Sequence, residues 1–214
     1  MGSVADRLVI AIDGPAGSGK STLGRALASE LGLETLDTGA SYRAVAALAL
    51  RRLVDASDAE AVAELARTAT IDVGRTVSIE GIDVTEEIRS EQVNQAVSVV
   101  AANPAVRSAL VAWQRAWVEE HGGGIVEGRD IGSVVFPDAT VKLYLTANAA
   151  ERAKRRSEEG SASIERRDRL DSTRQASPLT MADDARLIDT TEMTVDEVVG
   201  VVLDLVDRAT GGGR

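Results

Sequence analysis

The tightest constraint on this chain is the stretch Gly14 to Ser21, GPAGSGKS, set between the apolar run Leu8 to Ile12 and a segment with apolar residues at Leu23, Leu27 and Leu31. An apolar run that breaks into glycines and resumes with helical spacing reads as buried strand, loop and helix. In that setting GxxxxGKS cradles phosphate. Glycines let several backbone N–H groups point inward where a Cβ would obstruct, and the helix start adds partial positive charge. Gly14, Pro15, Ala16, Gly17, Ser18, Gly19, Lys20, Ser21 and Thr22 are therefore candidate ligands of a nucleoside triphosphate. Lys20 is placed to reach the β- and γ-phosphates, and the Ser21 hydroxyl to ligate Mg2+.

The rest of the chain fits a parallel sheet around that loop. Leu33 to Asp37, Ile125 to Glu127, Val141 to Thr146 and Arg186 to Thr190 read as further strands separated by helical stretches, the pattern of an α/β sheet covered on both faces. A last helix is marked by a capping box at Thr194 and Glu197 and an apolar stripe through Val195, Val198, Val199, Val202, Leu205 and Val206. Between the second and third core strands lies a long excursion. It contains SDAE (Ser57 to Glu60) as a second capping box, a hairpin in which Val77, Ile79, Ile82 and Val84 flank Glu80-Gly81, and two helices. One helix runs through Val93, Ala96, Val97 and Val100. The other starts at Pro104 with Val106, Leu110, Trp113 and Trp117 as its core stripe, and His121 in HGGG caps its end rather than serving as a base.

Composition narrows the function classes. The chain has 214 residues, no cysteine and a net charge of -10. Disulfides and thiol-ligated metals are excluded, so any metal binds through oxygen or His121, and a reducing cytoplasmic location is expected. No apolar run approaches a membrane span. The acidic balance argues against a nucleic-acid partner. Positive charge is instead local: residues 151–174 hold eight of the 24 basic residues and six of the 34 acidic ones. A solvated helix is the ordinary reading of such a run; beside a phosphate loop, its arginines become candidate clamps for anions.

The loop alone leaves open a switch, a motor or a kinase. Neither NKxD nor DxxG, the strings expected of a GTP switch, occurs in the chain. Ligands of open α/β sheets bind beyond the carboxyl ends of strands, which draws attention to Asp37, Thr38, Tyr42 and Arg43 after the second strand and to Gly128, Arg129 and Asp130 after the third. Arg166, Arg167, Asp168, Asp171 and Arg174 form the third polar cluster. Taken singly, these have ordinary readings as a helix cap, a surface ion pair and a solvated helix.

The ordered set IDGPAGSGKST, LDTGASYRAVA, EIRSEQVNQAVSVVAANPAVR, VEGRDIGSVVFPDATVKLYLTA, ERAKRR and RDRLDSTRQASPLTMADDARLIDTT spans nearly the whole chain. It resembles the bacterial cytidylate kinases of the nucleoside monophosphate kinase group. The resemblance implies an α/β fold: a three-layer P-loop kinase core with a parallel sheet (residues 1–65 and 121–214), a monophosphate-binding insertion (66–120) and a short lid (about 152–174). It implies transfer of the γ-phosphate of ATP, with Mg2+, to CMP and also dCMP by a cytoplasmic monomer that needs neither nucleic acid nor membrane. Kinases of UMP, AMP or shikimate, and a non-catalytic ATP-binding module, are the rival readings.

The resemblance also distributes roles. Thr38 stands near the ribose or phosphate of the acceptor, Arg43 beside Tyr42 is a phosphate ligand, and Asp37 belongs to the same set. Ser98, Arg107 and Asp130 are implied readers of cytosine, whose exocyclic amine suits a carboxylate. Arg129, Arg167 and Arg174 are implied phosphate contacts that share charge neutralisation with Lys20, Asp171 is the ribose contact, and Arg152 and Arg156 serve ATP. No general base is expected, because a phosphate oxygen is already an ionised nucleophile. Two departures stand out: Ser41 replaces a bulkier apolar residue, which predicts looser packing near Tyr42, and SEEGSASI forms a shortened link before the arginine-rich segment.

Overall fold

The computed structural model describes residues 7–155 and 180–212. These fall into two compact units, one of residues 7–35, 118–155 and 180–212 and one of residues 36–117.

The first unit is organised by β1 (Val9–Asp13), which pairs in parallel with both β6 (Gly124–Gly128) and β7 (Val141–Thr146); β7 pairs in parallel with β8 (Arg186–Asp189). The sheet order is β2-β6-β1-β7-β8, with β2 at Thr35–Asp37. Successive strand residues point to opposite faces, and β6 is buried at every position while β1 is buried from Ile10 to Asp13. Both faces of the central strands are thus withdrawn from water, as expected of a parallel sheet. Helix α1 (Lys20–Leu31) and the last helix, α7 (Val195–Ala209), supply Leu23, Leu27, Val198, Val202 and Val206 to a core shared with Ile10, Ile12, Ile125, Leu143 and Leu145. Val195, placed in the apolar stripe by spacing, is 41% exposed at the helix start. The Thr194–Glu197 capping box is formed in both directions. A short helix, α6 (Ala149–Arg155), follows β7.

The second unit is built round α2 (Thr38–Arg51), whose alanines are small enough to let neighbours approach closely; Ala44 to Ala49 are all buried. It packs against α3 (Ala59–Thr68), α4 (Glu91–Ala102) and the strands β3 (Ile71–Val73) and β4 (Val77–Ile79). The hairpin forms as the sequence predicts: β4 pairs with β5 (Ile82–Asp83) through Ile79↔Ile82, and Glu80 and Gly81 both adopt positive φ, 55° and 71°, as a two-residue type I′ connection requires. β3 adds a third antiparallel strand.

Two local expectations are corrected. SDAE does not start α3 at Ser57: the cap is Asp58, whose carboxylate accepts from Ala61 N, because the Ser57 amide and hydroxyl are both engaged by Asp55 Oδ1. In α5 (Pro104–His121) the buried positions are Val106, Arg107, Leu110, Gln114 and Val118, while Trp113 and Trp117 are half-buried. The chain turns by 93° between α4 and α5 because Asn103 caps the new helix through Ala105 N and Pro104 takes its first position. Among the described residues no single helix is long and apolar enough to cross a membrane.

Thr194→Ala removes the hydroxyl that accepts from Glu197 N. It should lower unfolding stability by about 1 kcal/mol, measured as a shift of the urea midpoint at unchanged slope; an unmoved midpoint would contradict the cap.

Candidate active site

The phosphate loop leaves the carboxyl end of β1 and enters α1 at Lys20. Gly14 sits at φ 147°, and a Cβ there would collide with the Leu145 carbonyl on β7, so the loop's close approach to the sheet demands glycine. Lys20, 8% exposed, bends back over the loop, its ammonium donating to the Gly14 and Pro15 carbonyls at 2.9 Å each. Ser21 Oγ donates to Glu127 Oε2 on β6 at 2.7 Å. A hydroxyl and a carboxylate side by side next to a phosphate loop are the hard oxygen donors that Mg2+ accepts. No cluster of three acidic or histidine ligands occurs among the described residues.

Several polar groups brace the loop from outside. Arg152 on α6 donates to the Ala16 carbonyl at 3.2 Å and to the Ala147 carbonyl at 3.2 Å. Thr190, just after β8 and buried, lies within hydrogen-bond reach of the Ser18 and Thr146 carbonyls, both at 3.1 Å, and its hydroxyl accepts from Arg155 at 2.9 Å. Arg155 also donates to the Thr190 carbonyl at 2.8 Å. Beside this junction is a cavity of about 250 Å³ with a mainly apolar wall, lined among others by Thr22, Leu145, Thr190, Met193 and Val198.

Past the end of β6, Arg129 and the buried Asp130 lead into a π-helical turn, Ile131–Val135. Arg129 donates to the Gly128 carbonyl at 3.3 Å, and the Asp130 carbonyl receives Val134 N and Val135 N. Asp13, at the end of β1 and 3% exposed, accepts from Ile131 N and Gly132 N.

In the second unit, Asp37 caps α2 by accepting from Ala40 N, and Thr38 begins that helix, buried. Ser41 is fully buried and its hydroxyl donates to the Thr38 carbonyl at 2.7 Å, which satisfies the polar group that replaces an apolar one; Tyr42 remains 8% exposed. The buried Arg107 guanidinium stands 5.6 Å from the centre of the Tyr42 ring, a cation–π distance. Arg43 donates to the Ile88 carbonyl at 2.6 Å, and Ser98 is half-buried on α4. The structure therefore unites Tyr42 with Arg107 in one unit, and Lys20, Ser21 and Arg152 in the other. Arg156, Arg167, Asp171 and Arg174, with most of the lid and its short link, lie outside the described residues.

Sequence reasoning left Glu127, Thr190 and Asp13 out of the site. Glu127 and Thr190 both stand at or just past strand ends, the signal that drew attention to Arg129 and Asp130, and Asp13 directly precedes the loop.

Burial pushes the Asp13 carboxyl up to about 6, helped by the nearby Asp130 charge and opposed by the two backbone N–H donors and Lys20. A raised folded value means that Asp13 favours the fold most below its unfolded value near 3.8 and that this contribution is lost as pH rises through about 6. The loss amounts to about 3 kcal/mol. Urea denaturation of wild type and Asp13→Asn between about pH 3 and pH 7 should show the difference moving against wild type by about that amount; a difference independent of pH would contradict it.

Residues 10–208 match the family model described as cytidylate kinase. The chain is 46% identical to a cytidylate kinase of Rhodococcus opacus, covering 97% of this chain and 98% of the relative. It is 48% identical to one from Pelotomaculum thermopropionicum, covering 96% and 97%. In fold it is similar to an uncharacterized protein from Eubacterium ventriosum, with a TM-score of 0.51 at 12% identity over 94% of this chain and 99% of the other. With its phosphate loop on β1 and its Glu127–Asp130 strand end beside it, the chain belongs to the cytidylate kinase family.

Proposed function

We propose that the protein transfers the γ-phosphate of ATP to CMP, and to dCMP, giving CDP or dCDP and ADP. The observation that carries this is the Lys20–Ser21–Glu127 arrangement, whose Glu127 stands on the strand that leads into Arg129 and Asp130, in a chain of this family. The phosphate loop receives the triphosphate of ATP, and the apolar cavity bounded by Leu145, Met193 and Val198 suits its adenine ring. Residues 66–120 serve as the monophosphate-binding insertion. Thr38, Arg43, Ser98, Arg107, Arg129 and Asp130 serve the acceptor, with Asp37 and Tyr42 supporting them. Arg167, Arg174 and Asp171 supply the phosphate and ribose contacts of the lid, and Arg156 joins Arg152 on the ATP side.

Ser21 and Glu127 would hold Mg2+, directly or through water, and the ion would neutralise charge on the β- and γ-phosphates. The chain's own contribution is positional. Lys20 must give up its carbonyl partners to meet phosphate, a short movement within the loop. Its ammonium then stabilises charge that spreads over the transferring group. No side chain needs to take a proton, because the acceptor oxygen is already ionised. Asp130 discriminates among acceptors by accepting from the cytosine amine, so a base that presents no donor there forgoes that hydrogen bond. The enzyme acts as a monomer on free nucleotides, in the cytoplasm.

ADP formation measured by a coupled assay across CMP, dCMP, UMP, AMP and shikimate should be greatest with the cytidine nucleotides; no stimulation by any pyrimidine monophosphate would refute the reading. Lys20→Met should lower kcat by about 10- to 150-fold or more, since a charge-assisted contact contributes about 1.5–3 kcal/mol. Asp130→Ala should raise KM for CMP at least about tenfold while changing KM for MgATP less than about threefold. Near-normal turnover of the first variant, or equal losses in the second, would remove the assigned roles.

A further inference from the structure

Asp13 joins β1 to the first glycine of the phosphate loop, and both of its carboxylate oxygens are committed to a segment 118 and 119 residues away: Oδ1 accepts from Ile131 N and Oδ2 from Gly132 N, each at 2.8 Å. Those amides open the π-helical turn that follows Arg129 and Asp130. The far end of the turn is tied back to the same place, since Val134 N and Val135 N donate to the Asp130 carbonyl at 2.9 and 3.2 Å. Asp130 itself has φ -145° and ψ 26°, outside the helical region, so its direction is set by what holds the residues after it. The turn also has little room to slide, because a Cβ on Gly132 would lie 3.2 Å from Lys142 Cδ.

An ionised carboxylate is an unusual choice for a site 3% exposed, with another carboxylate, Asp130, close enough to repel it. Lys20 on α1 offsets part of that repulsion, and the strand partners of Asp13 in register are Gly128 on β6 and Tyr144 on β7. What the carboxylate offers in return is geometry: it alone among side chains of this length presents two acceptor oxygens, with no donor, to two adjacent amides.

We propose that Asp13 is a positioning residue that fastens the acceptor-reading turn to the root of the phosphate loop, so that Asp130 and Arg129 face the acceptor in the orientation that selects it. The inference rests on the reading of Asp130 as a CMP contact. It adds a residue that touches neither nucleotide yet sets the geometry between donor and acceptor.

Asp13→Asn keeps the volume but offers one acceptor oxygen and turns an NH2 group toward the other amide. In steady-state assays the variant should raise KM for CMP about tenfold with KM for MgATP changed less than about threefold. A purely structural role would weaken both substrates alike. Wild-type protein gives a second readout that does not depend on the variant folding: the backbone amide resonances of Ile131 and Gly132 should titrate together with a midpoint near pH 6. Resonances that stay flat from pH 5 to 7.5, or a variant whose losses are equal for the two substrates or confined to MgATP, would overturn the proposal. Failure of wild type to phosphorylate CMP would instead strike the reading on which it rests, and the two failures are therefore distinct.

Discussion

The parallel hydrogen bonding of β1 to β6 on one side and β7 on the other is the constraint on which the first unit depends. Parallel strands end at the same edge, so this pairing brings the phosphate loop, the Glu127–Asp130 strand end and the Thr146 carbonyl to one rim. Register matters as much as order. Ile12 opposite Glu127 and Asp13 opposite Gly128 put one carboxylate within reach of Ser21 and the other within reach of the Ile131 and Gly132 amides. A slip of one residue would send each of these side chains to the opposite face.

That rim is unusually polar for a buried place, and most of its polar groups pair with one another, Ser18 Oγ being buried without a hydrogen-bond partner among the described residues. Lys20 rests on two carbonyls of its own loop, Ser21 on Glu127, Asp13 on two amides, and Thr190 links the Ser18 and Thr146 carbonyls to Arg155. Such a network fixes the geometry of these groups relative to one another. The same burial makes Asp13 costly when ionised, so stability and site geometry pull in opposite directions at that residue.

What could be read from the sequence was local or carried by a motif. GPAGSGKS between an apolar run and a helical stripe specifies strand, loop and helix because each piece has one conformation that suits it, and Glu80-Gly81 specifies a tight hairpin for the same reason. Errors arose where two local candidates competed: Asp58 displaced Ser57 as a cap once Asp55 had engaged the serine, and Gln114 took a buried position where spacing favoured the neighbouring tryptophans. Glu127, Asp13 and Thr190 were missed for a different reason. Their partners lie 106, 118 and 172 residues away in the chain, and only the strand order of the sheet makes them neighbours.

A rim built in this way should direct phosphate from ATP to a cytidine monophosphate rather than to water. Incubation with ATP labelled in its γ-phosphate and with unlabelled CMP tests it most directly. Label should appear in the β-phosphate of CDP in step with ADP formation. Label released as inorganic phosphate while CMP is left unchanged would contradict it.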